Sequence, residues 1–404
     1  MDRIGSKLFH GLIALLVLCG IGWWLIGPDW RALLAHPPSG QDVLFWSQKQ
    51  RDAGFRMMDR IPFIIKSRTI EAGDAVSPLP EGEPLDLGPE GGAMMEALNY
   101  SSIVVLQDGK IRLESYGLDF EEDGRWTSFS VAKSFTSTLV GAALKDGYID
   151  SLDDKVSDYV PGLRGSAYDD VSIHQILTMT SGVAWNEDYE DPNSDVALFL
   201  ATEPEGDMSA VVTYMKDLGR AHPPGDVFNY STGETNLIGI LVRRATGKTL
   251  AEYLSEKIWK PYGMQQDASW LLGSDGREIS GCCIQAAARD YARFGQFILQ
   301  GARIDGEPVL ADGYLEAATG KQTGIGNWGY GYGYQWWIRD ENTFEARGIF
   351  GQGILIDPTR NLVIITTGNW TSAIGYKDGE AERRSKFFSL VQSTIDQELA
   401  ATGG

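Results

Sequence analysis

A serine and a lysine three positions apart, Ser130 and Lys133, have the residue types and the spacing of a catalytic pair. A serine hydroxyl is a poor nucleophile at neutral pH, so an enzyme must hold a base within hydrogen-bonding reach of it. Residues i and i+3 of a helix are neighbours on its surface, which would place Lys133 beside Ser130. The same spacing also arises by chance, and serine is a common helix N-cap, so a structural role is the alternative.

The residues that follow Ser130 predict a helix that begins at this serine and stops at Asp146-Gly147. Apolar residues recur there with helical period: Ala132, Phe135, Leu139 and Ala143. In the first turn of a helix, unpaired backbone N–H groups and the helix dipole favour developing negative charge. We therefore expect Ser130 to lie where an oxyanion is stabilised.

Tyr230 is a second residue that could take part in chemistry, and it lies in a loop made rigid by Pro223, Pro224 and Gly225. A phenol near an ammonium group can hold its proton loosely and pass it between nucleophile, lysine and leaving group. The alternative is a packing role at a junction between loop and helix. The sequence thus makes Tyr230 a candidate proton carrier.

Composition and charge exclude several classes of protein. A chain of 404 residues with 43% hydrophobic content is typical of a globular enzyme. The net charge of −20, spread along the chain, argues against a nucleic-acid partner and for a solvated acidic surface. Cys19 lies in an apolar leader and Cys282 and Cys283 are adjacent, so neither a disulfide framework nor a zinc site is expected. The four histidines lack metal-ligand spacing, and we expect no metal or cofactor.

Residues 1–27 have the pattern of a membrane anchor or a signal sequence. Arg3 and Lys7 precede a run from Leu8 to Gly27 that is long enough to cross a bilayer. The run lacks a convincing small-residue cleavage site, and Trp23-Trp24 suits an interfacial anchor. We therefore predict a single-pass anchor with the catalytic domain on the external, periplasmic side. A cleaved signal peptide and a secreted or periplasmic enzyme are the alternative.

The rest of the chain divides into a connector and one large domain. Residues 28–92 end in a stretch rich in proline and glycine and are expected to form an extended connector. The domain at 93–400 begins with two alternating runs joined by Asp108-Gly109, which predicts a β-hairpin. Residues 150–272 are mainly helical in pattern.

Strand patterns return near the end of the chain, at 332–337, 353–356 and 362–367, and an amphipathic helix is predicted over 380–399. Strands on both sides of a helical block indicate an α/β fold of the α+β type. We therefore predict an antiparallel sheet flanked by helices, with an inserted helical domain.

Several segments resemble the serine β-lactamase and penicillin-binding-protein-like superfamily in type and in order. They are 126–141 around Ser130, 176–182, the Phe228-Asn-Tyr-Ser231 loop, 288–295 and 331–337. The long connector and Gly351-Gln352-Gly353 are most similar to 6-aminohexanoate-dimer hydrolases and related esterases. The resemblance covers roughly residues 45–400. It implies the β-lactamase/transpeptidase-like fold, an acyl-enzyme at Ser130, and Lys133 and Tyr230 as the groups that move its proton.

Two departures from the family pattern bear on the substrate. Thr232 stands where many relatives have asparagine, and Asn236, one helical turn further, is not an assured replacement. The third motif, a lysine or histidine followed by a hydroxyl residue and glycine, corresponds here to 348–351, which carries neither cation nor hydroxyl. Recognition of a β-lactam carboxylate is therefore doubtful, and a less anionic amide or ester is favoured.

The predicted function is hydrolysis of a small amide or ester through a Ser130 acyl-enzyme. The resemblance implies oxyanion donors at Ser130 and near Gly351 and Gln352. The substrate cleft is expected to be lined by Trp185 and Asn186, followed by Glu187. A β-lactamase or D-Ala-D-Ala carboxypeptidase-like cell-wall enzyme is one alternative. A binding or sensing module that is acylated but never turns over is another.

Overall fold

The computed structural model describes residues 3–37, 43–61 and 65–402, which form helices α1–α15 and strands β1–β13. The helices are α1 (Arg3–Leu25), α2 (Gly27–Ala35), α3 (Gln48–Met57), α4 (Gly88–Glu96), α5 (Ala132–Lys145), α6 (Val156–Tyr159), α7 (Ile173–Leu177), α8 (Asp195–Leu198), α9 (Ala210–Met215), α10 (Thr232–Thr246), α11 (Leu250–Leu254), α12 (Lys260–Tyr262), α13 (Ala288–Leu299), α14 (Tyr314–Thr319) and α15 (Glu380–Thr402). The strands are β1 (Lys66–Ile70), β2 (Tyr100–Gln107), β3 (Lys110–Tyr116), β4 (Trp126–Thr127), β5 (Ala268–Leu272), β6 (Ile284–Ala286), β7 (Arg303–Ile304), β8 (Glu307–Pro308), β9 (Gly331–Tyr332), β10 (Trp337–Ile338), β11 (Phe344–Arg347), β12 (Gly353–Asp357) and β13 (Leu362–Gly368).

The main sheet is antiparallel, with the strand order β3-β2-β13-β12-β11-β10-β9. Its first hairpin turns at Asp108 and Gly109, which both have positive φ, the conformation that a two-residue hairpin turn requires. The predicted hairpin is confirmed. The predicted strand at 332–337 forms two short strands instead, β9 and β10, because the chain reverses through Gln335 with φ of +62°.

Alternate residues of the sheet enter two different apolar layers, as the period of two in a strand requires. Val104, Ile354 and Val363 face the core that contains α5 and α13. Ile103 and Ile364 face the opposite layer, which Phe387, Phe388, Val391 and Ile395 of α15 complete. Helices therefore cover both faces of an antiparallel sheet, and the predicted fold class is confirmed.

The helical region between the strands brings α10 against α5. Most of α10 is buried, including Thr232 at its start. At the end of this region the chain returns to strand structure in β5, which pairs with β1 and β6 in a second sheet of order β1-β5-β6-β4. Strand β4 of this second sheet lies just before Ser130 in the chain and so anchors the turn that contains Ser130.

The segment 28–92, expected to be an extended connector, contains α2, α3 and β1 as well as an irregular stretch from 71 to 87. Arg51 of α3 is buried, and its guanidinium donates to Asn369 Oδ1 at 2.7 Å and to the Trp370 carbonyl at 2.9 Å. The segment is thus fastened to the end of β13 by charged hydrogen bonds, which are stronger than neutral ones.

The apolar leader forms α1, and its large apolar side chains from Phe9 to Leu25 are exposed. Among the described residues no single helix is long and apolar enough to cross a bilayer, whereas 9–25 and α2 together, bent by 110°, meet those criteria of length and composition. The membrane anchor stays a prediction. Cys282 and Cys283 form a disulfide between adjacent residues, which joins no distant parts of the chain, while Cys19 is free and exposed.

Candidate active site

Ser130 lies in a tight turn between β4 and α5. A 3-10 turn at Phe129–Val131 precedes α5, so the α-helix begins at Ala132, two residues later than predicted. Phe129 has φ of +41°, a conformation that costs free energy in a bulky residue and occurs mainly where function requires it. The Ser130 side chain is almost buried, yet it borders two cavities. The turn therefore presents the hydroxyl to solvent-accessible space.

Lys133 is 1% exposed and lies beside the Ser130 hydroxyl, with 2.9 Å between Nζ and Oγ. Burial lowers the pKa of its amine to about 8, although the charge of Glu187 opposes that shift. Desolvation disfavours the ammonium form because a charge in a poorly solvated site loses its hydration. Roughly a tenth of Lys133 is therefore neutral at pH 7 and about half at pH 8, and this neutral form is able to accept a proton.

The other partners of Lys133 orient its lone pair. Nζ lies 2.8 Å from the Gly281 carbonyl and 2.9 Å from Thr232 Oγ1. The carbonyl can only accept a hydrogen bond, and the Thr232 hydroxyl uses its own hydrogen to donate to Glu187. Both groups therefore accept a hydrogen bond from the Lys133 amine. A neutral amine has only two N–H bonds. Its lone pair is therefore left for Ser130, which is the arrangement a general base needs.

Thr232 and Glu187 form a support for Lys133 that sequence reasoning did not assign. Glu187 accepts from both the backbone N–H and the hydroxyl of Thr232, and from the hydroxyl of Tyr189 at 2.8 Å. Asn236 donates to the Thr232 carbonyl at 2.9 Å, and in the described part of the chain it is not among the residues that line the two cavities at Ser130. The sequence placed Glu187 after the Ser181-Gly182 loop, at the expected cleft. No local pattern, however, indicates that Glu187 pairs with Thr232.

Tyr230 lies over Lys133, with 5.1 Å between Nζ and the ring centroid, and stacks on Trp337 at 5.3 Å. Burial and then the charge of Glu187 raise the pKa of its phenol, which hydrogen-bonds with Ser130. This environment does not favour the loosely held proton that the sequence suggested, because burial and then the charge of Glu187 act in the opposite direction. A phenol that keeps its proton suits a donor, and neutral Lys133 suits the base.

Trp185 and Asn186 do not border either cavity at Ser130, as far as the described residues show. Trp185 packs edge-on against Phe199 and Tyr214, and its indole N–H donates to Glu187. Asn186 is exposed and caps the turn to Asp188. Glu187, which was expected to line the cleft together with them, does border the larger cavity, as do the residues directly after it.

Gly351 and Gln352 also lie behind the cavity wall, not in it. Gly351 has φ of +101°, and a Cβ there would lie 2.6 Å from the Trp370 ring, so glycine is required for packing. The Gln352 amide is consumed by the carbonyls of Ile349 and Gly368 and by the Gly368 N–H. Ile349, which borders both cavities together with Ser130, is the residue of this turn that faces the reaction site.

Residues 348–351, where the third family motif was sought, carry no cation and follow directly after β11. Strand β11 runs beside the nucleophile turn, and a Cβ on Gly348 would lie 2.6 Å from the Ser128 carbonyl. The residue at the cavity edge of β11 is Arg347, whose guanidinium stacks 4.9 Å above the Trp337 ring. A cation is therefore present near the site, one residue before the stretch in which it was sought.

Arg347 belongs to a cluster in which three guanidinium groups surround one carboxylate. Arg339, Arg347 and Arg384 all pair with the buried Glu345. Burial alone would raise the pKa of Glu345, but the three arginines hold it at about 2. The cluster therefore keeps a net positive charge at one part of the wall of the larger cavity. Glu187, Glu190 and Glu382 supply negative charge at other parts of the same wall.

Two cavities meet at Ser130 and differ in character. The larger, of about 830 Å³, is lined by aromatic and charged side chains, including Tyr230, Trp337 and Arg347. The smaller, of about 220 Å³, is lined mainly by apolar side chains and reaches Thr232. A carbonyl bound at Ser130 would thus have one substituent in each cavity.

A buried acid next to the site makes the stability of the protein pH-dependent. Glu234, on the first turn of α10, accepts from Ser181 and Tyr168, while its Oε2 has no partner in the described part of the chain. Burial raises its pKa to about 8. Between the unfolded value of about 4.3 and 8 the folded state binds more protons than the unfolded state. Stability must therefore fall as pH rises through that window.

We expect the free energy of unfolding to decrease by up to about 1.4 kcal/mol per pH unit between pH 5 and 8 because of this one proton. Glu234→Gln, which stays neutral, should remove that slope and equal or exceed the wild type at pH 8. Denaturant unfolding at several pH values measures it, with the exposed Glu341→Gln as control. An unchanged slope in Glu234→Gln would show that Glu234 is not the titrating group.

Comparison with known proteins agrees with this geometry. The profile of the Beta-lactamase family matches residues 94–386. The chain is 30% identical over 285 residues to a 6-aminohexanoate-dimer hydrolase from Paenarthrobacter ureafaciens, which covers 67% of this chain and 72% of the relative. A Beta-lactamase from Pseudomonas fluorescens is 27% identical over 172 residues, covering 41% of this chain and 44% of that protein.

Solved structures show the same fold at lower identity. A Bacillus anthracis protein assigned as a 6-aminohexanoate-dimer hydrolase superposes with a TM-score of 0.73 at 24% identity, covering 87% of this chain and 95% of the other. A family VIII carboxylesterase has a TM-score of 0.59 at 15% identity, covering 78% and 99%. The chain therefore belongs to the Beta-lactamase family and is a serine hydrolase of the amidase and esterase type.

Proposed function

We propose that the protein hydrolyses a small amide or ester in two steps, with Ser130 as nucleophile and neutral Lys133 as its base. The observation that carries the proposal is the hydrogen-bond arrangement that leaves the Lys133 lone pair for Ser130. Attack on the carbonyl forms an acyl-enzyme and expels the amine or alcohol, and water then releases the acid. This two-step route divides one difficult hydrolysis into two easier steps.

Tyr230 is proposed to return the proton to the leaving group. Its pKa is raised, so the phenol carries a proton that it can donate, and it contacts Ser130. The developing oxyanion is proposed to accept from backbone N–H groups of Ser130 and Ile349, which border the same two cavities. Donors held in place before the reaction stabilise that charge without reorganisation.

A second candidate is a cell-wall enzyme that acts on a substrate bearing a carboxylate, such as a β-lactam or a D-Ala-D-Ala peptide. Arg347 supports it, because it supplies at the cavity wall the cation whose absence had argued against such substrates. The similarity to a 6-aminohexanoate-dimer hydrolase supports a linear amide instead. Turnover decides between them.

The test is a panel of four substrates: p-nitrophenyl acetate and p-nitroacetanilide, which differ only in the leaving atom, a D-Ala-D-Ala peptide and a chromogenic cephalosporin. We expect turnover of the ester and the linear amide, and at least about 100-fold lower kcat/KM for the last two. Tyr230→Phe should slow the anilide by about 10²-fold or more, since an amine must be protonated to leave, and should slow the nitrophenyl ester far less. Equal losses on both would remove Tyr230 from the role of donor. Acylation without turnover of any substrate would favour the binding module.

A further inference from the structure

The smaller cavity at Ser130 is apolar over most of its wall. Leu44, Met58, Val196, Leu200 and Ile279 are among its lining residues. Of the described residues that border it, none carries a charged side chain, and hydroxyls come from Ser130, Tyr189, Thr232 and Ser274. Binding of a hydrocarbon group in such a cavity is favourable, because apolar surface is removed from water. Binding of a polar group there is much less favourable.

The position of Tyr230 shows which part of a substrate lies in each cavity. Tyr230 and Trp337 line the larger cavity and are absent from the described wall of the smaller one. A proton donor must meet the atom that leaves, so the amine or alcohol lies in the larger cavity. The carbonyl lies at Ser130, where the cavities join. The group on the other side of the carbonyl, the acyl chain, is thus directed into the smaller cavity.

We propose that the smaller cavity is an acyl pocket, so that the substrate is an amide or ester of an apolar acyl chain with a polar leaving group. The inference rests on the proposed function and names its substrate class. About 220 Å³ exceeds the roughly 150 Å³ that encloses a benzene molecule in an engineered apolar cavity. At roughly 30 Å³ for each small unit, the pocket holds about six to eight carbon atoms.

Part of the wall of this pocket comes from the segment that precedes the family domain. Residues 43–45, Met58 and Ile65 contribute to it, and all precede residue 94, where the match to the family profile begins. The buried α3 and the pairing of β1 with β5 hold this segment against the catalytic domain. The segment before the family domain is therefore a specificity-determining part of the enzyme.

The test is a series of p-nitrophenyl esters from acetate to octanoate with the full chain. Each methylene group that enters the pocket should raise kcat/KM by about fourfold, up to hexanoate or octanoate. Ala197→Trp, which fills the pocket, should remove the increase with chain length, so that hexanoate and octanoate lose far more kcat/KM than acetate does. Leu198→Trp, on the exposed neighbour outside the pocket wall, should behave as wild type. Leu44→Trp is a second filling variant if circular dichroism shows that Ala197→Trp is unfolded.

A second series keeps the acetyl group and lengthens the alcohol, and it should show no increase that Ala197→Trp removes. An increase in that series, abolished by the filling variants, would place the leaving group in the pocket and overturn the proposal. A flat acyl series with good acetate turnover would overturn it too, while leaving the hydrolase function intact. Absence of turnover for every ester and amide would instead reject the proposed function.

Discussion

Replacement of Ser130 by alanine is expected to lower kcat by about 10⁴-fold or more on any substrate that the wild type turns over. Among the residues that the structure describes, the Ser130 hydroxyl is the only group able to form the acyl bond that lies beside both Lys133 and the junction of the two cavities. The loss should appear in kcat and not in KM, since the larger and smaller cavities still hold substrate. Steady-state kinetics and labelling with a fluorophosphonate measure it.

The matched control is Ser134→Ala, one turn later in α5. Its hydroxyl donates to the Gln335 carbonyl at 2.8 Å and faces the core, so this variant should still be labelled. Thermal unfolding of Ser130→Ala should stay close to that of wild type, because Lys133 retains two of its partners. Equal labelling of wild type and Ser130→Ala would show that another residue is the nucleophile.

Replacement of Lys133 by alanine is expected to lower kcat/KM by about 10²- to 10⁴-fold, the usual contribution of a general base. In the wild type, log kcat/KM should rise with pH and reach a plateau above about 8, because only the neutral amine accepts the Ser130 proton. The inflection should vanish in Lys133→Ala. Glu187→Gln should move it to lower pH, since the charge of Glu187 raises the pKa of Lys133.

Lys145→Ala provides the control for these profiles, because this lysine is exposed at the other end of the same helix. It should leave both the rate and the inflection unchanged. A profile that is flat from pH 6 to 10 in wild type would contradict the role of Lys133 as base. An inflection that persists in Lys133→Ala would assign it to another group.

The local elements of the fold could be predicted because their signals lie within a few residues of each other. The hairpin at Asp108-Gly109 needs only two residues that accept positive φ between two alternating strands. The helix after Ser130 needs only apolar residues at helical spacing. The strand predicted at 332–337 was wrong, since the reversal at Gln335 depends on buried bonds from its amide to the Ile176 and Leu177 carbonyls.

The site could be predicted only in part for the same reason. Ser130 and Lys133 are three residues apart, and their contact follows from helical geometry. The sequence did not predict the direction of the Tyr230 pKa shift. Burial and the charge of Glu187 raise that pKa, and Glu187 is distant from Tyr230 in the sequence. Arg347 and Ile349 were missed because their position depends on where β11 passes the nucleophile turn.

The sequence by itself thus determined the contact between Ser130 and Lys133 and the family to which the chain belongs, because both depend on short segments and their order. Only the tertiary structure decided how that pair works. The two acceptors that turn the Lys133 lone pair toward Ser130 lie 99 and 148 positions further along the chain. The burial that lowers the Lys133 pKa, and the two cavities to which we assign the acyl chain and the leaving group, likewise arise where distant segments pack together.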